Sequence, residues 1–258
     1  MMNAKNDFPT YTILAGSNGA GKSTYRAFMH ITDTTIDPDL IARVNKINEF
    51  EAGRLAVNEI RNCFKNKESF VQETTLSSSM NSNIDLAKLQ GYKINLIYVA
   101  IDNPERAISN IKIRVKKGLH DIPEETVKRR FPKTYKNLIS VSERVDNVIV
   151  VDNSNNLYNN ILHIKDRQVI YRNENTPRWL NTTIDKVIEN ATKPKGKEIL
   201  KVNKKELGML EALKAENSKI KFKTNPYEAD KATTSIIAQN STIKLFNNFL
   251  NKYRGMER

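Results

Sequence analysis

The stretch Tyr11–Thr24, YTILAGSNGAGKST, decides the fold of this 258-residue chain. It begins with an apolar run typical of a short buried strand that ends in glycine. The turn from Gly16 to Ser23 satisfies the pattern G-x-x-x-x-G-K-[ST] at every fixed position, and a helical pattern continues to His30. A strand, a glycine-rich turn and a helix in this order predict a loop whose backbone N–H groups surround phosphate oxygens.

The ligand that this loop predicts is a nucleoside triphosphate with Mg²⁺. Lys22 can reach the β- and γ-phosphates, and the Ser23 hydroxyl can complete the shell of the metal ion. A glycine turn with a purely structural role is the alternative, and the register of strand, loop, lysine, serine and helix argues against it. The predicted nucleotide-binding residues are Gly16, Ser17, Asn18, Gly19, Ala20, Gly21, Lys22, Ser23 and Thr24, with Ser23 as the metal ligand.

The composition is that of a soluble globular protein, with 39% hydrophobic and 28% charged residues. The formal net charge of +13 favours anionic partners such as nucleotides, phosphorylated metabolites, nucleic acid or acidic proteins, although a solvated lysine-rich surface would give the same value. The sequence contains neither an apolar run long enough to span a bilayer nor a secretory signal. The single cysteine, Cys63, excludes an intrachain disulfide. We therefore expect a cytoplasmic protein without a membrane partner.

Apolar strand patterns alternate with helical patterns over the first two thirds of the chain, which predicts an α/β fold with a mostly parallel sheet. Together with the glycine-rich loop, this alternation predicts the three-layer sandwich of P-loop NTPases over residues 1–175. The segment ILHIKDRQVIYR predicts either a hairpin or one long edge strand. Residues 176–258 are predicted to form a C-terminal helical extension, with helices over Asn203–Asn217 and Tyr227–Tyr253.

Acidic residues stand at the ends of two predicted strands, in the segments TTIDPD and FVQETT. Ligands of open parallel sheets bind at the carboxyl edge of the strands, where Asp37, Asp39 and Glu73 are expected to lie. A carboxylate there could accept the proton of a hydroxyl that attacks the γ-phosphate, and Glu73 with Thr75 is suited to bind sugar or ribose hydroxyls. Asp37 is predicted to bind the substrate together with these two residues. Helix capping is the alternative for both aspartates, and it weighs more for Asp37.

Four motifs in this order resemble the zeta-toxin-like branch of P-loop kinases, in the small form also described as predicted ABC-type ATPases. They are GSNGAGKST, IDPDLIA, FVQETTLS and RVKKGLHDIPEETVKRRF. The resemblance implies ATP-dependent phosphorylation of UDP-N-acetylglucosamine, or a similar small molecule with a free hydroxyl, and an antitoxin partner that blocks the nucleotide site. It implies that Asp39 is the catalytic base and that Glu73 and Thr75 bind the acceptor. This chain departs from the family at Thr74, where the family motif has glycine, and Glu59 is the nearest candidate for a further acidic substrate-binding residue.

The fourth motif is strongly basic, with six Lys or Arg residues across a helix end, a turn and the next helix start. Arginines above a phosphoryl group can stabilise the negative charge that develops during its transfer. The resemblance implies that Arg114 is the first of these catalytic arginines, beside Lys22. Arg129, Arg130 and His120 are predicted lid residues, and a solvated basic face is the alternative for the whole segment.

Two alternative functions are open at this stage, and one further function is disfavoured. A transporter-type ATPase is disfavoured because TLSSS lacks the glycines of its signature and Asn153 stands where its water-activating glutamate would be. One alternative is a different small-molecule kinase, such as an antibiotic or nucleoside phosphotransferase. The other is a nucleotide-dependent switch or nucleic-acid-binding ATPase that transfers phosphate only to water. Because no recognised nucleic-acid-binding module is present, we do not expect a nucleic-acid partner.

Overall fold

A computed structural model describes residues 8–31, 33–116, 121–193, 197–217, 219–228 and 232–256. The contacts divide the chain into two compact units. The first consists of Met1–Ile84 and Tyr92–Lys193, and the second of Asp85–Gly91 and Pro194–Arg258.

The first unit contains a seven-stranded sheet with the order β2-β3-β1-β4-β5-β6-β7. Strands β1 to β5 are parallel, whereas β6 and β7 pair antiparallel at one edge. The predicted α/β class with a mostly parallel sheet is therefore confirmed. The strands are β1 (Thr10–Ala15), β2 (Thr34–Ile36), β3 (Phe70–Thr74), β4 (Lys93–Ala100), β5 (Asn147–Asp152), β6 (Asn159–Lys165) and β7 (Gln168–Arg172).

Helices connect the parallel strands, and the sequence marks several of their starts. Proline occupies the first position of α2 and α5, where its missing N–H costs nothing. The side chains of Asn48 and Asn103 accept hydrogen bonds from backbone N–H groups in the first turns of α3 and α5. The helices are α1 (Lys22–Phe28), α2 (Pro38–Asn45), α3 (Glu49–Asn66), α4 (Asn81–Leu89), α5 (Pro104–Val115), α6 (Glu124–Ser142) and α7 (Arg178–Thr192).

Strand β1 lies in the middle of this sheet and is buried on both faces, which explains its lack of polar alternation. It pairs in parallel with β3, and their register places Leu14 opposite Glu73. Strand β2 pairs with β3 so that Ile36 lies opposite Gln72. The carboxyl ends of the three neighbouring strands therefore meet at one edge of the sheet. That edge positions the phosphate loop, the two aspartates and Glu73 near one another.

The segment ILHIKDRQVIYR forms a hairpin, which decides between the two alternatives left by the sequence. Its strands β6 and β7 are joined by Asp166 and Arg167, whose φ angles are 48° and 69°. Positive φ at both central residues is the geometry of a type I′ turn, whose twist matches that of the flanking strands.

The second unit is a mixed α/β unit rather than the helical extension predicted from the sequence. Its antiparallel sheet has the order β8-β10-β9. Helix α8 agrees with the prediction, but residues 233–239 form a strand where a helix was predicted. The β-branched side chains of TTSIIAQ fit a pleated strand better than a helix. The elements are β8 (Lys197–Asn203), α8 (Lys204–Glu216), β9 (Phe222–Thr224), β10 (Thr233–Gln239) and α9 (Asn240–Met256).

The boundary between the units also differs from the predicted one. Helix α7 packs against α6, β6 and β7, so the first unit ends at Lys193 rather than at residue 175. In the second unit, α8 and α9 cover one face of the small sheet around Leu210, Ile236 and Phe246. None of the helices in the described part of the chain has the length and apolar character needed to cross a membrane.

Candidate active site

The phosphate loop after β1 packs so closely that two of its glycines have no room for a side chain. Gly16 and Gly19 have φ angles of 147° and 74°, which L-residues with side chains rarely adopt. A Cβ atom at Gly16 would lie 2.4 Å from the carbonyl oxygen of Val99, and one at Gly19 would lie 2.3 Å from that of Ala107. The loop is thus held directly against β4 and α5.

Lys22, the first residue of α1, folds back over this loop. Its Nζ donates to the carbonyl oxygens of Gly16 and Ser17 at 3.0 and 3.1 Å, and only 8% of the residue is exposed. Burial lowers the pKa of Lys22, while the carboxylates of Glu73, Asp39 and, more weakly, Asp37 raise it. The loop therefore has a cation beside its backbone N–H groups, which is the arrangement that binds phosphate.

The side-chain oxygen atoms of Ser23 and Glu73 lie next to each other beside the loop. The Ser23 hydroxyl donates to Oε1 of Glu73 at 2.8 Å, and Nε of Arg26 lies 4.0 Å from Oε2. Burial raises the pKa of Glu73, and the charge of Lys22 is the strongest opposing influence. Within the described part of the chain, Oε2 of Glu73 has no hydrogen-bond partner although it is buried.

The oxygen atoms of Ser23 and Glu73 fit Mg²⁺, which prefers oxygen ligands and is usually bound through one or two protein groups together with substrate phosphates. The described residues contain no cluster of three His, Cys, Asp or Glu side chains that could hold a metal by themselves. The Ser23 hydroxyl and Oε2 of Glu73, which accepts no hydrogen bond within the described residues, are therefore the protein groups suited to the ion.

Asp37 and Asp39 differ in their surroundings. Oδ1 of Asp37 accepts the backbone N–H of Asp39 at 3.0 Å, which makes Asp37 the N-cap of α2. Burial, and next the nearby charge of Asp39, raise the pKa of Asp37. Both aspartates line the cleft that contains Lys22 and Glu73. Asp37 thus has the capping role that was one of its two predicted interpretations, and it also faces the cleft.

A cleft of about 870 Å³ brings most of the predicted site residues together. Among the described residues, Gly16, Ser17, Ala20 and Arg129 do not line it, and Arg129 is exposed on α6. His120 lies outside the described residues. Those that line it are Asn18, Gly19, Gly21, Lys22, Ser23, Thr24, Asp37, Asp39, Glu73, Thr75, Arg114 and Arg130.

The last residue of β3 and the turn that follows it line another part of the cleft with hydroxyl groups. The hydroxyls of Thr75 and Ser77 lie 2.9 Å apart. Thr74, which replaces the glycine of the family motif, accepts the backbone N–H of Leu76 with its hydroxyl at 3.1 Å. All but Leu76 of these residues line the cleft. The prediction for Glu59 is not supported, because this residue is exposed on α3 and is not among the described residues that line the cleft.

Sequence reasoning missed several polar residues of the site. Arg26 and Arg43 line the cleft between the loop and α2. Asn110, Asn153 and Tyr158 donate hydrogen bonds to carbonyl oxygens of the phosphate loop. Of these residues, only Asn153 has a sequence position that suggests a role in the site, because it directly follows β5 at the carboxyl edge of the sheet.

Comparison with known proteins identifies a family match. The zeta toxin family model matches residues 42–174, slightly more than half of the chain. An uncharacterized protein of Haemophilus influenzae is 37% identical over 123 residues, which cover 45% of this chain and 88% of the relative.

Solved structures share the fold at low sequence identity. A chain of the AvrRxo1-ORF1:-ORF2 complex, solved with ATP, superposes with a TM-score of 0.54 and 14% identity. The match covers 70% of this chain and 64% of that chain, so this protein spans somewhat less than two thirds of that relative. A chain of the PezAT chromosomal toxin–antitoxin system of Streptococcus pneumoniae gives a TM-score of 0.47 and 14% identity, over 71% of this chain and 80% of that chain. With the loop after β1 and the strand order, the first likeness confirms the predicted P-loop fold.

Proposed function

Because the chain belongs to the zeta toxin family, we propose that it is an ATP-dependent kinase that phosphorylates a hydroxyl of a small-molecule acceptor. The observation that carries this proposal is the shared cleft. A carboxylate that can act as a base, Asp39, lines the same cavity as Lys22 and Ser23 of the phosphate loop. A nucleotide-dependent switch does not need such a base, and the hydroxyls of Thr75 and Ser77 in the same cavity favour an acceptor larger than the water used by an ATPase.

Nucleotide binding is assigned to the loop and its lysine. The backbone N–H groups at the start of α1 and the ammonium of Lys22 would bind the triphosphate of ATP. For this, Lys22 exchanges its two carbonyl partners for phosphate oxygens, which are stronger acceptors because they are charged. Ser23 and Glu73 would hold Mg²⁺, which when bound neutralises charge on the β- and γ-phosphate oxygens.

Phosphoryl transfer is assigned to three further side chains. Asp39 accepts the proton of the acceptor hydroxyl as that oxygen attacks the γ-phosphorus, and the bond from the γ-phosphorus to the bridging oxygen breaks and releases ADP. Arg114 and Arg130 line the cleft and stabilise the negative charge that develops on the transferring group. Lys22 contributes to the same stabilisation from the loop side, and Asp37 keeps α2, and therefore Asp39, in position.

The acceptor is proposed to be a nucleotide sugar such as UDP-N-acetylglucosamine. The hydroxyls of Thr75 and Ser77 can hydrogen-bond a sugar ring, and the cation of Arg43 suits the diphosphate of a nucleotide sugar. We also propose that the protein is cytoplasmic and is the toxin of a toxin–antitoxin pair. The net charge of +13 favours an acidic antitoxin as its partner.

The test is to incubate the protein with Mg²⁺, γ-labelled ATP and either UDP-N-acetylglucosamine or a metabolite extract. We expect label in a phosphorylated metabolite, and loss of that product in Asp39→Asn with nucleotide binding retained. Release of inorganic phosphate alone, with or without added RNA or DNA, would contradict the kinase assignment. Labelling of an extract component but not of UDP-N-acetylglucosamine would keep the kinase and reject the proposed acceptor.

A further inference from the structure

We propose that Asn110, Asn153 and Tyr158 form a tripod of positioning residues that sets the peptide orientations of the phosphate loop. This inference rests on the proposed function only in requiring that the loop bind a nucleotide. It does not depend on the acceptor or on phosphoryl transfer.

The tripod residues hold three consecutive carbonyl groups. Nδ2 of Asn110 donates to the carbonyl oxygen of Gly19, Nδ2 of Asn153 to that of Ala20, and the hydroxyl of Tyr158 to that of Gly21, each at 2.9 Å. The three side chains come from different places in the fold, namely the middle of α5, the residue after β5 and the residue before β6. Three elements of the first unit thus converge on one turn of the loop.

Holding these carbonyls fixes the direction of the N–H groups that follow them. In a trans peptide the C=O and the next N–H point to opposite sides of the chain. Anchoring the carbonyls of Ala20 and Gly21 therefore turns the N–H groups of Gly21 and Lys22 away from the anchors. The N–H of Ala20, next to the first anchored carbonyl, donates to the carbonyl of Ser17 at 3.2 Å and closes the turn itself. Preorganised N–H groups bind an anion without paying for reorientation.

The glycines of the loop make room for the tripod. A Cβ atom at Gly21 would lie 2.6 Å from Nδ2 of Asn153 and 2.7 Å from the hydroxyl oxygen of Tyr158. At Gly19 it would lie 2.3 Å from the carbonyl oxygen of Ala107, one turn before Asn110 on α5. The absence of side chains at the glycines of the motif therefore leaves room for the tripod residues as well as for the phosphates.

The conformation of Tyr158 also points to this role. Its φ angle is 49°, a left-handed conformation that is a genuine outlier for a bulky residue and persists only where the surroundings hold it. Its ring packs against Tyr25 and Phe28 of α1, with centroids 5.3 and 6.3 Å away. These contacts aim the hydroxyl at Gly21, the residue immediately before α1.

Asn153 shows why the tripod needs a donor at its centre. The residue is 3% exposed, its Nδ2 donates to the loop, and within the described residues its Oδ1 has no hydrogen-bond partner. Aspartate has the same shape but cannot donate in its ionised form, so it would face the carbonyl of Ala20 with repulsion. The effect of Asn153→Asp therefore separates an anchoring role from a space-filling one.

The test measures Mg–ADP binding by calorimetry in Tyr158→Phe, Asn110→Ala and Asn153→Ala, with the Tm of each protein as a check of folding. Loss of a buried hydrogen bond at the loop is expected to weaken binding about tenfold in each variant. The matched controls Tyr171→Phe and Asn181→Ala change exposed residues of β7 and α7 and are expected to bind like the parent. Tyr158→Phe keeps the ring and Asn110 is only half-buried, so at least one of these variants is expected to fold.

A second comparison ranks two variants at the same position. If Asn153 is an anchor, Asn153→Asp binds Mg–ADP more weakly than Asn153→Ala; a space-filling role gives the reverse order. Asn156→Asp places the same charge elsewhere in the cleft and measures how much of the loss comes from charge alone. The proposal is overturned if folded Tyr158→Phe and Asn110→Ala bind within twofold of the parent, or if Asn153→Asp is no worse than its charge control. Tight Mg–ADP binding without phosphoryl transfer to any metabolite would defeat the proposed kinase and leave the tripod standing.

Discussion

The two sides of the cleft are built from contacts of very different range. On the loop side, the side chains that hold the carbonyls of Gly19, Ala20 and Gly21 come from 91, 133 and 137 residues further along the chain. On the acceptor side, the bonds between Asp37 and Asp39, between Thr74 and Leu76 and between Thr75 and Ser77 each join residues two positions apart. A long-range bond is added there, from Nδ2 of Asn137 to the carbonyl oxygen of Leu76, 61 residues apart.

This difference separates what the fold determines from what local sequence determines. The loop cannot change its geometry without disturbing α5, β5 and the turn before β6. The acceptor side consists of a helix cap and a short turn, which can accept other side chains while the sheet stays intact. We therefore expect substitutions near the loop to affect nucleotide binding and stability together, and substitutions at Asp39 and in the turn after β3 to affect the acceptor alone.

The largest expected effect comes from the acceptor side and tests whether that side carries the chemistry. Asp39→Asn removes the proposed base while keeping the size of the side chain, so phosphoryl transfer is expected to fall roughly 100- to 10,000-fold. The dissociation constant of Mg–ADP is expected to stay within twofold of the parent. Initial rates with γ-labelled ATP and calorimetry measure the two quantities.

Asp37→Asn is the matched control for this experiment. Asparagine accepts the backbone N–H of Asp39 as well as aspartate does, so the cap of α2 and the transfer rate should both be retained. If Asp37→Asn were the variant that lost activity and Asp39→Asn the one that kept it, the base would have to be reassigned to Asp37.

The next largest effect is expected on the loop side. Gly19→Ala places a Cβ atom 2.3 Å from the carbonyl oxygen of Ala107 at a φ of 74°, so the loop or α5 has to move. Strain of a few kcal/mol is expected to weaken Mg–ADP binding roughly 100-fold and to lower the Tm. Calorimetry and thermal unfolding measure both.

Gly53→Ala gives the opposite outcome and serves as control. Gly53 lies inside α3, and a Cβ atom there meets nothing within 4 Å. Alanine in a helix interior is better than glycine by about 1 kcal/mol, so the Tm should rise without a change in nucleotide affinity. Equal behaviour of the two variants would show that the loop is not packed as tightly as the structure indicates.

The same division explains how much of the molecule the sequence could predict. The apolar runs and the glycine-rich motif predicted β1, the parallel sheet and the loop, because each depends on residues that are adjacent in the chain. The helix predicted over Tyr227–Tyr253 was wrong over residues 233–239, because the spacing of the apolar residues was interpreted as helical where TTSIIAQ favours a strand. Local patterns also left open whether β6 and β7 were one strand or two, until the φ angles of Asp166 and Arg167 decided it.

The anchors of the loop could not be predicted from local patterns. Nothing in the neighbourhood of Asn110 or Tyr158 indicates that these side chains meet a turn more than 90 residues away. The sequence pointed to Asn153 only because it stands where a transporter-type ATPase would have glutamate. The hydrogen bond that its amide donates to the loop becomes visible once β5 is placed beside β4. Long-range contacts of single side chains have no period in the sequence, so only the folded unit reveals them.

A smaller effect is expected where the acceptor side touches its substrate. Thr75→Ala removes a hydroxyl that lines the cleft, and the KM for the acceptor is expected to rise about tenfold with the KM for ATP unchanged. Thr182→Ala, on the exposed face of α7, should change neither constant. A rise in the KM for ATP would show that Thr75 belongs to the nucleotide side, and the two sides of the cleft would then be less separate than their contacts suggest.

The smallest expected effect is at Glu73, the residue that joins the two sides. Burial raises the pKa of Glu73, with the charge of Lys22 opposing it. The folded protein therefore holds this proton more tightly than the unfolded chain does. Stability is lost as the pH rises from the ordinary pKa of about 4.3 through the raised pKa of the folded state. Glu73→Gln cannot ionise, so the Tm of this variant should rise relative to the Tm of the parent as the pH increases above about 4.3.

That gain in stability should accompany a loss of function, because the carboxylate is one of the two groups suited to Mg²⁺. We expect Glu73→Gln to be more stable than the parent at neutral pH and to bind Mg–ADP more weakly, whereas Glu59→Gln, on the exposed face of α3, should change neither property. A Tm difference that is flat with pH would mean that Lys22 and Ser23 fully compensate the buried charge. In that case Glu73 would belong to the loop side together with Lys22 and Ser23. The acceptor side would then begin after the end of β3.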